Sequence, residues 1–180
     1  LSRGWAHVSA GPLGQYKSFL GEGGVRVPAI ISYPRVIQPN SQLGSLISIM
    51  DIAPTLMSFA NVQSTHNYLM QGRSAEEILR DSPIRGEVRE NLAMETYGNK
   101  AVWEGNWKLL WSWESHSWEL FDLENDPGET NDLSLSYPSR VESMVQTFSN
   151  FVEENGVVLL DSEVGYARYE DQLNEFNSTQ

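Results

Sequence analysis

The spacing of apolar residues changes character along the chain, and each change marks an element. In "VRVPAIISY", residues 25–33, apolar and β-branched residues run almost continuously between a glycine pair and Pro34. A short unbroken run of this kind predicts a buried strand, of the sort found in parallel sheets covered on both faces. From Asp51 onward Ile52, Leu56 and Phe59 fall on one helical face, with Asp51 placed as the cap and Pro54 in the first turn. Residues 90–98, 100–105, 106–113 and 117–126 are short, aromatic-rich and parted by tight-turn residues such as Glu104-Gly105-Asn106. They predict three or four strands in an antiparallel meander. Val141, Met144, Val145, Phe148, Phe151 and Val152 then recur at helical spacing up to the stop at Asn155-Gly156, and Ser136 with Pro138 behind it is the expected start.

Between these elements the pattern fades. Residues 1–24 are rich in glycine and small side chains and are expected to form an extended loop, and 34–45 a turn-rich connector. Residues 63–88 are a polar connector with one helical turn at "SAEEILR". Residues 153–180 hold seven acids and one arginine, the pattern of a mobile acidic tail. The order of elements is that of the last strand and helix of an α/β layer, followed by a small antiparallel sheet with one helix.

Composition narrows the function classes. In 180 residues, 40% apolar and 11% aromatic content suffices for a folded core. No apolar run approaches the roughly 20 residues needed to span a bilayer, so a soluble chain with no membrane partner is expected. The absence of cysteine removes disulfides, thiolate metal sites and cysteine nucleophiles. A net charge of −12 argues against nucleic acid as a partner, because a phosphate backbone requires a basic face. The charge is uneven. Residues 1–60 set Arg3, Lys17, Arg26 and Arg35 against Glu22 and Asp51, so this segment alone is net positive and suited to attract an anion. The opening "LSRGWAHVSAG" has neither the basic leader nor the apolar core of a signal peptide, and a start on Leu1 is expected of a fragment, so the compartment stays open.

Three segments carry a family resemblance. "YKSFLGEGGVRVPAIISYP" (16–34), "MDIAPTLMSFANV" (50–62) and "NWKLLWSWESHSWELFDLENDPGETNDLS" (106–134), in this order and spacing, resemble the C-terminal third of type I sulfatases over about residues 5–156. The likeness is strongest to bacterial-type arylsulfatases, in which a Y-K pair leads into the E-G-G-V-R-V-P run. The resemblance implies the α/β fold class, as the C-terminal part of an alkaline-phosphatase-like fold: the end of its large mixed sheet plus a small antiparallel sheet with one helix. It divides the chain into 1–62, the end of the large catalytic domain; 63–88, a connector; 89–156, the small C-terminal sheet and helix; and 157–180, the acidic tail.

The same resemblance implies a sulfuric ester hydrolase acting on small sulfated substrates, aryl sulfates first, through a formylglycine upstream of this chain. It implies Ca2+ in the complete enzyme, held by ligands that also lie upstream, with none bound by this chain alone. The missing N-terminal part of the same enzyme is then the chain's partner, and the chain by itself is expected to be inactive. Lys17 is the one residue here to which the resemblance gives a catalytic and substrate-binding role, reaching the sulfate group. The chemistry calls for such a residue, since a compact ammonium stabilises both the sulfate oxygens and the charge developing on the leaving oxygen. The bland alternative is a solvated loop lysine. Two other readings of the chain are a phosphodiesterase or phosphonate monoester hydrolase of the same superfamily, and a catalytically silent binding or structural module.

Other candidates have simpler explanations. Gly21, Gly23 and Gly24 are expected to permit backbone turns that other residues resist. Glu22 and Arg26 fit a structural ion pair or bonds to the loop backbone better than a substrate contact. Asp51 fits a helix cap better than a calcium ligand. "SYPSR" at 136–140 has the [CS]-x-P-x-R form of the sulfatase nucleophile but is followed by "VESMVQTF", as a helix start would be. His7, His66 and His116 lack metal-ligand spacing. Trp103, Trp107, Trp111, Trp113 and Trp118 suit core packing better than a carbohydrate platform. The sequon at Asn177 lies in the tail.

Overall fold

The computed structural model describes residues 3–62, 70–80, 88–112 and 115–159. These form two compact units, one from the described residues within 1–27 and 91–180 and the other from those within 28–90.

The first unit is built on the predicted meander. Strands β1 (Asn91–Thr96), β2 (Asn99–Glu104), β3 (Trp107–Trp111) and β4 (Trp118–Asp122) form one antiparallel sheet in sequence order. Tyr97 and Gly98, at φ 50° and 83°, make the two-residue turn between β1 and β2, and the left-handed pair matches the twist of the flanking strands. The register sets Val102 opposite Leu109 and Leu109 opposite Leu120, and helix α5 (Pro138–Asn155) covers this row with Met144 and Phe148. Val141, Val145, Phe151 and Val152 flank the same core, so every apolar position of the predicted helical face is used. Gly156 at φ 61° ends the helix in the left-handed cap that glycine favours. Its start differs from expectation. The cap position is Tyr137, with no side-chain bond, and Ser136 lies outside the helix, because Pro138 begins the first turn directly.

The other face of the sheet holds a second cross-strand row, Trp103 opposite Lys108 and Lys108 opposite Phe121. It is covered from the N-terminal segment. That segment is not the extended loop the sequence predicts. It holds helix α1 (Arg3–Ala10) and a single helical turn, α2 (Glu22–Val25).

The second unit has a small core of Ala75, Ile78 and Leu79 with Ile37, Leu43, Phe59 and Val88 around it. Its elements are helix α3 (Ile52–Phe59), entered through a 3-10 turn at Ile49–Asp51, and helix α4 (Glu76–Arg80). Asp51 does not cap α3 as expected: it makes no side-chain bond there, and its carboxylate instead reaches back to close the capping box of the 3-10 turn, whose cap residue is Ser48. One carboxylate oxygen accepts the Ser48 N–H at 2.8 Å, the other accepts the Arg73 N–H at 2.8 Å and pairs with the Arg89 guanidinium, and the side chain is fully buried. Ile52 and Leu56, expected to face a core, are exposed.

The predicted strand at 25–33 is absent. Residues 26–33 have no regular structure, and Ile30 is 97% exposed. A strand of this composition requires paired strands on both edges, and among the described residues the sheet consists of β1 to β4 alone.

Candidate functional site

Lys17 is exposed on a turn between α1 and α2. On either side of it Gln15 and Ser18 adopt left-handed backbone, at φ 62° and 81°, a conformation uncommon outside glycine. The turn is closed by its own bonds. The Phe19 N–H donates to the Tyr16 carbonyl at 3.1 Å, the Gly21 N–H to the Gln15 side-chain oxygen at 2.7 Å, and the Gly23 N–H to the Gly14 carbonyl at 2.7 Å. Tyr16 stacks edge-on against His7 and against Phe19, with ring centroids 4.8 and 5.0 Å apart.

The glycines of this turn serve it by closeness rather than by dihedral freedom. Gly21, Gly23 and Gly24 all have negative φ, and a Cβ on Gly24 would strike the Phe19 carbonyl and come within 2.6 Å of the Tyr16 carbonyl. A side chain at position 24 has no room, so the chain crosses itself there only with glycine.

The C-terminal end of the turn is anchored to the sheet by a buried charge cluster. Glu22 Oε1 accepts from Lys108 Nζ at 3.0 Å and from the Trp103 indole N–H at 3.0 Å. Lys108, which is 0% exposed, also forms an ion pair with Glu129 at 2.7 Å, and its ammonium lies 4.8 Å from the centre of the Trp103 ring. Glu129 Oε2 in turn accepts the Glu22 backbone N–H at 2.7 Å. Burial, which disfavours the charged form, pushes the Glu129 carboxyl above its ordinary value, against the pull of Lys108 and of the Glu22 N–H, with the nearby Glu22 carboxylate adding slightly.

Glu22 is therefore a structural residue, as its sequence context indicates. Its link to Arg26 is the weak part, at 3.8 Å with an exposed guanidinium. Lys108 and Glu129 went unnoticed in the sequence. The signal that could have found them is a lysine amid the apolar strand "WKLLW", together with an acid closing the "DPGE" turn, each a charge in need of a partner.

Among the described residues, no group of three or more His, Asp or Glu could hold a metal ion. Asp51 does not suit calcium, since its oxygens are taken by two backbone N–H groups and Arg89. A cleft of about 360 Å³ in the second unit, lined by Met57, Ser58, Phe59, Asn61, Val62, Glu76 and Arg80, offers a guanidinium already paired with Glu76 at 2.6 Å. Among the tryptophans, Trp103 is buried and Trp107 and Trp118 pack against the core, while Trp113 and His66 lie outside the described residues, as do the sequon and most of the acidic tail. No helix among the described residues is long and apolar enough to cross a membrane.

Residues 13–154 match the family model described as N-sulphoglucosamine sulphohydrolase, C-terminal. An uncharacterized sulfatase of Schizosaccharomyces pombe is 29% identical over 166 residues, covering 86% of this chain and 30% of the relative. Arylsulfatase K of Xenopus laevis is 30% identical over 152 residues, covering 77% of this chain and 28% of the relative. In three dimensions the chain is similar to the crystal structure of Ps i-CgsB in complex with k-i-k-neocarrahexaose, with a TM-score of 0.72 and 22% identity over 94% of this chain and 38% of that one. The chain thus spans under a third of the length of these two curated relatives.

Proposed function

The chain belongs to the sulfatases, in the family of the N-sulphoglucosamine sulphohydrolase C-terminal domain, and from this we propose that it is the C-terminal portion of a longer enzyme that hydrolyses sulfate esters, with Lys17 as its contact to the sulfate group. The observation that carries the reading is the setting of Lys17: an exposed ammonium on a turn held by three internal bonds and anchored to the sheet through Glu22. A lysine that merely solvates a surface has no need of such a frame.

In ester cleavage the bond from sulfur to the leaving oxygen breaks, and negative charge grows on that oxygen. An ammonium aimed at the sulfate group before reaction lowers the energy of that charge without reorganising during the step. A formylglycine and a calcium ion would belong, in this reading, to another part of the longer protein, where they would supply attack at sulfur and polarisation of the sulfate oxygens. The exposed apolar run from Val27 to Tyr33 supports the same division, because it fits a strand completed by a sheet contributed from elsewhere in that protein.

Aryl sulfate is the substrate to test first, given the similarity to an arylsulfatase. The description of the matched family favours a sulfated glucosamine as the second reading. Phenol release would be measured with 4-nitrocatechol sulfate and a bis-aryl phosphate, and sulfate release with a sulfated glucosamine, using the longer protein that carries this sequence. Turnover of either sulfate supports the proposal and selects the substrate class. Turnover of the phosphate alone, or of none, overturns it.

A further inference from the structure

We infer that Lys108 is a positioning residue for Lys17: the buried Glu22–Lys108–Glu129 cluster fixes the turn from which Lys17 projects, and so makes the antiparallel sheet part of the substrate site. The inference rests on the sulfate-contact reading of Lys17 given above.

Stability alone does not account for the cluster. Lys108 sits in a cross-strand row with Trp103 and Phe121, where an apolar side chain of equal length would pack without the cost of drying a charge. The two carboxylates share the one buried ammonium, and among the described residues the only other cation in reach, Arg26, is exposed and 3.8 Å from Glu22. What the ammonium provides and an apolar side chain cannot is a fixed point for Glu22. That residue is held at its side chain by Lys108 and Trp103 and at its backbone by Glu129.

From Glu22 the constraint runs back to Lys17 with little slack. Gly23 bonds to Gly14, Gly21 bonds to Gln15, and Gly24 is pressed against the carbonyls of Phe19 and Tyr16. A shift of Glu22 therefore moves both ends of the turn that displays Lys17. The ammonium of a substrate-contacting lysine has to be held to a fraction of an ångström, since small misplacements cost large factors in rate.

The decisive variant is Glu22→Gln/Lys108→Met/Glu129→Gln, which removes all three charges while keeping side-chain size. In the longer enzyme, amide hydrogen exchange at Gly21 to Gly24 should quicken by about 10-fold or more, while the paired amides of β2 and β3 keep their protection. In the longer enzyme, kcat/KM for 4-nitrocatechol sulfate should fall by about 10-fold, with no further fall when the triple change is made in a Lys17→Ala background. That non-additivity distinguishes positioning from a general loss of stability, which would multiply with the loss of Lys17. If the triple variant does not fold, Lys108→Arg retains the charge and displaces Glu22 by its bulk, and it should give the same two signatures. Unchanged exchange at residues 21–24, or an undiminished loss in the Lys17→Ala background, overturns the inference. Absence of turnover by the unsubstituted enzyme instead overturns the sulfatase reading, and the exchange experiment then decides the clamp alone.

Discussion

Lys108 Nζ lies 3.0 Å from Glu22 Oε1, across 86 residues of sequence, with both side chains buried. The pair joins an antiparallel strand to the glycine-rich turn that carries Lys17, and a second carboxylate, Glu129, closes the triangle at 2.7 Å.

Removing only the ammonium leaves two carboxylates facing each other in a dry site. Lys108→Met should therefore destabilise the chain by about 3–5 kcal/mol, whereas the triple variant that also converts Glu22 and Glu129 to glutamine should recover most of that loss. Urea denaturation of both variants tests this. Equal stability of the single and triple variants would contradict it.

Glu129 gives the cluster a pH signature. Its carboxyl is held above the ordinary glutamate value of 4.5, so the folded state retains a proton that the unfolded state has lost. Its contribution to stability therefore falls as pH rises from 4.5 through the raised value. Glu129→Gln removes that fall. The denaturation midpoint of the variant, measured against the unsubstituted chain, should gain steadily across this window. A difference that shrinks with rising pH has the wrong sign.

Lys17→Ala in the longer enzyme should lower kcat/KM for an aryl sulfate by about 10²–10³, the scale of losing one preorganised stabiliser of developing charge. The melting temperature should be nearly unchanged, because the side chain is exposed. Lys17→Arg should rescue poorly, since a planar fork does not replace a compact ammonium. Steady-state kinetics paired with thermal melts separate these outcomes, and near wild-type kcat/KM in Lys17→Ala returns the residue to the solvated surface.

At Gly24 the added methyl of an alanine would meet backbone carbonyls on two sides. Gly24→Ala should cost about 1–3 kcal/mol, the usual range for overpacking, or more because a carbonyl yields less than a side chain. A neutral change in denaturation midpoint would show that the turn opens without strain.

The helix α5 allows a paired comparison. Ser136→Ala should change stability by less than about 0.5 kcal/mol, because the cap position is Tyr137. Gly156→Ala forces an L-residue into a left-handed cap at φ 61° and should cost about 1–2 kcal/mol. Thermal melts of the two variants, side by side, check the order.

The sequence by itself determined the elements whose signal is local. The meander and the apolar face of α5 are written in period-2 and period-3.6 spacing, and the two pack against each other within the first unit. The family was legible for the same reason, as "EGGVRVP" and "ELFDLENDPGE" are contiguous runs, and residues 13–154 do match a sulfatase family.

Only the tertiary structure decided where charges go and whether an apolar run finds a partner. Residues 25–33 have the composition of an inner strand, yet strand formation depends on edges that this stretch cannot supply itself, and Ile30 stands 97% exposed. Only the weak partner of Glu22, Arg26, lies within a local window; the buried ones do not, because Lys108 is 86 residues away and Glu129 is 107 residues away. The glycines near Lys17 were legible as special, but the reason was not: backbone packed against backbone, a property of the folded turn, rather than a dihedral preference of the residue.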